Sequence, residues 1–126
     1  MRFFKEYVVI FLVIVFVILI EIITDSITKK SINDINNKIE EVEVSLETSE
    51  NNDKINELCD SWKKECDKLS FYMEHDELGK VGILVDNVRS DIKNENTEDV
   101  KQELDEIKFL LEHIKDKQKL QLKNIF

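Results

Sequence analysis

Residues 62–82 read WKKECDKLSFYMEHDELGKVG, and the reading of this stretch decides the fold. Trp62, Cys66, Leu69 and Met73 step by four, three and four, the spacing of one face of an α-helix. Glu74-His75-Asp76-Glu77 interrupts those steps, and Leu78, Val81 and Val85 resume them. One helical stripe ends, the chain reverses, and a second stripe begins. Gly79 and Gly82, the only glycines, sit just past the reversal and allow helices to approach closely there.

Outward from this stretch the pattern repeats. Upstream, Ile55 and Cys59 extend the first stripe, with Leu58 widening it, so a helix is predicted over about Asp53–Met73. Downstream, Val88 and Ile92 carry the second stripe to about Lys93. Asn94-Glu95-Asn96-Thr97 reads as a turn, with Thr97 as the cap of the next helix. That helix, about Glu98–Lys123, presents Val100, Leu104, Ile107, Leu111 and Ile114. Its acids come first and its lysines last, as the helix dipole prefers. Before Thr48–Asn52, a further helix shows Ile32, Ile35, Ile39, Val42 and Leu46 at steps of three and four, and Ser31 with Asp34 supplies a start signal. The absence of proline favours long helices. Four helices with short connections and coiled-coil-like seams predict an all-α fold, an antiparallel up-down bundle. The interruptions at 49–52, 74–77 and 94–97 argue against one long coiled-coil dimer.

The N-terminus is different in kind. Tyr7–Ile20 is an unbroken apolar run, and with Phe3-Phe4 and Ile22-Ile23 the segment reaches 21 residues. About 20 residues cross a hydrocarbon core, with Lys5, Glu6 and Glu21 near the headgroups. A cleaved signal peptide is the competing reading, but no small-residue cleavage site follows. The chain therefore divides into a transmembrane anchor (1–23), an interfacial linker (24–31, a polar break) and the helical bundle (32–126). Arg2 and Lys5 precede the span and Lys29 and Lys30 follow it, so the charge rule is nearly balanced. The proximity of Arg2 and Lys5 favours an inside N-terminus. The expectation is a single-pass protein of the cell membrane with its bulk extracytoplasmic.

The net charge is −9, and the part from Thr24 onward carries all of it. Nucleic acid is a poor partner for so acidic a domain. The lipid bilayer and an integral membrane protein are the expected partners, with self-association as a further option. No cofactor is expected. The sequence holds no phosphate-binding glycine loop, no H-E-x-x-H and no C-x-x-C, so no catalytic or metal-ligating residue is assigned and the expectation is not an enzyme.

Three groups of residues stand out. His75, Glu77, Glu112, His113 and Asp116 form a candidate polar cluster. The α-hairpin register brings the two imidazoles within roughly 6–14 Å, among carboxylates, the ingredients of a pH-responsive site. Trp62, Phe71 and Tyr72 are candidate core or partner-contact residues. Lys115, Lys117, Lys119, Lys123 and Phe126 form a basic, apolar-tipped tail. The last helix overshoots the third toward the bilayer, so this tail is a candidate membrane-surface contact. Cys59 and Cys66 lie ~10.5 Å apart along one helix, too far to bridge each other; they read as small seam residues.

The N-terminal span, Trp62, Ser70-Phe71-Tyr72-Met73-Glu74-His75-Asp76-Glu77-Leu78, Phe109-Leu110-Leu111-Glu112-His113-Ile114 and Leu122-Lys123-Asn124-Ile125-Phe126, in that order, give the chain a family resemblance. It resembles the uncharacterised family of small single-span proteins from spore-forming Firmicutes known as domain of unknown function 4363, over essentially its whole length. The resemblance implies no activity and no catalytic residues, and it implies work beside multi-span membrane proteins. The expected function is that of a non-enzymatic, membrane-anchored accessory partner of an integral membrane protein. The alternatives are a pH- or ligand-responsive module built on His75 and His113, and a cytoplasm-facing coiled-coil scaffold.

Overall fold

A computed structural model describes residues 2–48 and 51–125, with side chains as far as Leu120. Four helices follow one another: α1 (Arg2–Ser45), α2 (Asn51–Leu69), α3 (His75–Lys93) and α4 (Thr97–Ile125). Each packs on its neighbours in the chain, and α4 closes the ring on α1. The result is an antiparallel up-down bundle, as the stripes predict.

The first helix departs from the expected division. Thr24–Ser31 is no break: α1 runs through it as one helix of 44 residues. This stretch contains neither Pro nor Gly, and its two threonine hydroxyls bond back to the helix itself. Thr24 Oγ1 donates to the Glu21 carbonyl at 3.1 Å and Thr28 Oγ1 to the Thr24 carbonyl at 2.7 Å. Lys29 pairs with Asp25 one turn earlier, at 3.0 Å. The buried face of α1 starts inside the polar stretch, at Asp25, Thr28 and Ser31, and continues through Ile32, Ile35, Ile39 and Val42. The apolar part before it has no buried residue in its apolar window and is long enough to cross a membrane, a candidate span.

The core is one layer of aliphatic side chains along the bundle axis, with Trp62 as its only aromatic member among the described residues. α3 and α4 bury the residues their periodicity predicts, Leu78, Val81, Val85, Val88 and Ile92 against Val100, Leu104, Ile107, Leu111 and Ile114. On α2 the buried line is Ile55, Leu58, Trp62, Glu65 and Leu69, while Cys59 and Cys66 are half-buried beside it. The helix is turned slightly from the predicted face because it must serve α1 and α3 together. Trp62 packs against α3 beside Gly82, where a Cβ would lie 3.4 Å from the indole nitrogen, in van der Waals contact.

The reversal falls earlier than the predicted 74–77, at 70–74, and His75–Glu77 open α3 instead. α2 stops at Leu69, and Ser70–Met73 form turns closed by Ser70 N–H to the Cys66 carbonyl and Met73 N–H to the Leu69 carbonyl, both 2.9 Å. α3 begins at His75 with Asp76 and Glu77 in its first turn, where the helix dipole favours acids. At its other end Glu95 adopts a left-handed φ of 61°. Glu95 N–H bonds the Ile92 carbonyl and Asn96 N–H the Asp91 carbonyl, the double closure typical of a left-handed helix stop.

Candidate functional site at the span-proximal end of the bundle

The end of the bundle nearest the candidate span is the chemically distinctive one. There the core changes from aliphatic to polar, and three elements converge on one segment of α1. The α2–α3 turn sends Tyr72 to that segment, where its hydroxyl lies 2.7 Å from Thr28 Oγ1 and 3.2 Å from the Thr24 carbonyl. Thr28 and the phenol both reach that carbonyl and each other, so a relay of two hydroxyls ends on the backbone. Burial pushes the Tyr72 phenol above its ordinary range, opposed by the Thr28 bond and reinforced by Asp25.

One turn further along α1, Ser31 Oγ donates to Glu65 Oε2 at 2.6 Å. Glu65 is only 5 % exposed. Its other oxygen lies 3.7 Å from the Lys68 ammonium, which reaches solvent. From α4, Gln118 donates its amide to Thr24 Oγ1 at 3.1 Å. Buried polar groups without partners cost several kcal/mol in apolar surroundings, so this layer admits one register of α1, α2 and α4. Sequence reasoning missed Glu65, Ser31 and Gln118. The signal lay in Leu58, Trp62 and Leu69, whose spacing places residue 65 on the same line; its charge disguised it.

The candidate polar cluster is differently arranged. Lys117 is at its centre, 3.0 Å from Glu77 and 3.7 Å from Glu74. The hydrogen bond to Glu77 holds the Lys117 ammonium above the usual lysine range. His75, Glu112, His113 and Asp116 are all exposed. Their side chains form no hydrogen bond or ion pair with any described residue. The predicted hairpin register is realised by Glu74 opposite Lys117. No group of three or more His, Cys, Asp or Glu among the described residues could hold a metal ion.

Of the remaining candidates, Trp62 is core, 6 % exposed. Phe71 is 90 % exposed although its neighbour Tyr72 is packed. In the tail, Lys115 is half-buried and Lys119 exposed, while Lys117 is committed to Glu74 and Glu77. The Lys123 side chain and Phe126 lie outside the described part. α4 is nonetheless helical to Ile125, seven residues or ~10 Å beyond Gln118. The two cysteines line a shallow groove with Arg89 between α2 and α3. Burial pushes both thiols up, and Arg89 partly offsets this at Cys59.

Between α1 and the end of α2 lies a cleft of about 520 Å³. Ser31 and Glu65 floor it, Ile27 and Phe71 wall it, and Lys30 and Lys68 stand at its rim.

A family model described as a domain of unknown function (DUF4363) matches residues 22–125. The match begins where the apolar run ends and covers the bundle with its polar layer. No curated protein and no solved structure matches the chain.

Proposed function

The chain belongs to the DUF4363 family, and we propose that it is a non-enzymatic, membrane-anchored accessory subunit that docks on an integral membrane protein, its bundle standing at the extracytoplasmic face. The observation that carries this reading is the unbroken α1. A span joined to a folded domain by a flexible linker serves as a tether. Here the apolar segment and the bundle share one helix, and three elements brace it within two turns of the last apolar residue. The domain's height and orientation are thereby tied to the span, which suits a part that must present a fixed face to a neighbour in the same membrane. The polar groups gathered at that end serve one another structurally, which favours a positioning role over chemistry.

Photo-crosslinking in native membranes tests this, with benzoylphenylalanine replacing Phe11 or Phe16 on the lateral face of the span. The expected result is a discrete adduct with a multi-span protein. Adducts with lipid alone, or with a second copy alone, overturn the accessory role. For sidedness, Asn96→Cys in a Cys59→Ser/Cys66→Ser background is expected to react with a membrane-impermeant maleimide on intact cells. Reaction only after lysis favours the cytoplasm-facing scaffold.

A second reading, a pH-responsive module, finds support away from the histidines. At the span-distal end Glu103 on α4 meets Asp91 on α3, and burial with these neighbouring carboxylates raises Glu103 to about 7.

A further inference from the structure

The cleft beside Phe71 combines depth, charge and an apolar wall that the bundle itself does not use. Ile23 is the last residue of the apolar run and Ile27 lies one turn on, ~6 Å along the axis. Each headgroup layer of a bilayer is roughly 5–8 Å thick, so a membrane crossed by this span places the cleft at headgroup depth. Tyr72, anchored to Thr24 and Thr28, fixes the α2–α3 turn at that level and leaves Phe71 pointing away from the protein.

The charges at the cleft are unequal in availability. Glu65 is withdrawn to the floor, one oxygen taken by Ser31 and the other facing Lys68. Asp25 is tied to Lys29. Lys68 keeps half of its side chain in solvent. Lys30 is exposed and forms no ion pair among the described residues. In a chain of net charge −9, two lysines on a rim at this depth form a local exception.

We propose that this cleft seats the phosphate of an anionic phospholipid from the bilayer that the span crosses, with Lys30 and Lys68 as its cations and Ile27 and Phe71 facing the glycerol backbone within the headgroup layer. An exposed aromatic at the interface and lysines at phosphate level are a mutually reinforcing pair of membrane contacts. The proposal is independent of which integral protein the chain serves.

The test uses the full chain, with Phe71 replaced by benzoylphenylalanine, in phosphatidylcholine vesicles containing one-fifth phosphatidylglycerol. After irradiation, mass spectrometry identifies the adducts. The expected product carries one phospholipid, with the ratio of phosphatidylglycerol to phosphatidylcholine adducts about fivefold above the bulk ratio, the worth of about one lysine at an anionic surface. In Lys30→Gln/Lys68→Gln that enrichment should fall to the bulk ratio, and in Lys101→Gln, at the far end of the bundle, it should persist. Lys30→Gln alone, which breaks no ion pair, should lower it and keeps the test decisive if the double variant unfolds. Adducts at the bulk ratio in the parent chain overturn the proposal, as does enrichment that survives Lys30→Gln unchanged. A product crosslinked to a second copy of the chain in place of lipid also overturns it.

Discussion

Ser31 on α1 and Glu65 on α2, 34 positions apart, are joined by a 2.6 Å hydrogen bond in a layer where both residues are nearly inaccessible. A bond to a charged acceptor contributes about 1.5–3 kcal/mol, and removing only the donor leaves the acceptor to bear its desolvation. Ser31→Ala should therefore destabilise the bundle by about 2 kcal/mol in urea unfolding. Ser31→Ala/Glu65→Leu, which removes the charge with its partner, should return to within about 1 kcal/mol of the parent. A double variant less stable than Ser31→Ala would mean that the Glu65 carboxylate stabilises the fold by a route other than Ser31.

Tyr72 gives a second, milder probe of the same end. Tyr72→Phe keeps the ring and removes the relay to Thr28 and the Thr24 carbonyl. The expected cost is about 1 kcal/mol, a fall in Tm of roughly 4–8 °C for a domain of this size. An unchanged melting curve would show that the ring alone holds the turn.

At the centre of the core, Trp62→Ala removes the one aromatic side chain of the described core cluster and should cost about 3–5 kcal/mol. A bundle of this size has on the order of 5–10 kcal/mol in total, so the variant should be largely unfolded at 37 °C by circular dichroism. A Tm within a degree or two of the parent would place Trp62 outside the stabilising core.

The Asp91–Glu103 pair makes stability depend on pH with a definite sign. Glu103 Oε2 is buried without a donor and faces the Asp91 carboxylate, so the folded state holds a proton there up to about pH 7. The unfolded chain releases that proton near the ordinary value of 4.5. Between about pH 4.5 and 7 the folded state binds more protons, so stability falls as pH rises through this window and levels off above it. Glu103→Gln, whose amide donates to Asp91 at every pH, should flatten that slope and stabilise the protein at pH 8 by about 1 kcal/mol, allowing for solvent screening of a partly exposed pair. Urea midpoints at pH 5 and pH 8 for both proteins check it; an unaltered slope in the variant would assign the dependence to other groups.

Glu95 offers a stabilising change. Its left-handed φ of 61° closes α3, and an L side chain there costs about 1–2 kcal/mol relative to glycine before backbone entropy is counted. Glu95→Gly should raise stability by about 0.5–1 kcal/mol, measurable as a higher urea midpoint with an unchanged slope.

The bundle was legible because its periodicity is regular where its side chains are aliphatic. Val81, Val85 and Val88 on α3 and Leu104, Ile107 and Leu111 on α4 are buried as spaced, and the turn at 94–96 falls where the apolar steps lapse; the turn at 70–74 comes before the lapse, because Met73 keeps the spacing after α2 has ended. The span-proximal end was not legible for the complementary reason. Thr24, Thr28, Ser31, Glu65 and Gln118 are polar residues on buried faces, and a polar residue at a core position resembles a break until its partner is known. Those partners are separated by 34 to 94 positions, beyond any local pattern. His75 and His113 misdirect in the opposite way: adjacent carboxylates made them conspicuous, while the charge that organises their surroundings is Lys117.

A span and a domain drawn from a single helix behave as a lever with its pivot at Thr24. The arm from Thr24 to Ser45 is ~32 Å long, so a change of about 10° in the tilt of the span swings the distal turns sideways by roughly 5–6 Å. Transmembrane helices re-tilt to match the thickness of the surrounding hydrocarbon. In a membrane crossed by the candidate span, thinning or thickening of the bilayer would be converted, without any joint between span and bundle, into lateral displacement of the surface carrying Asn94–Asn96.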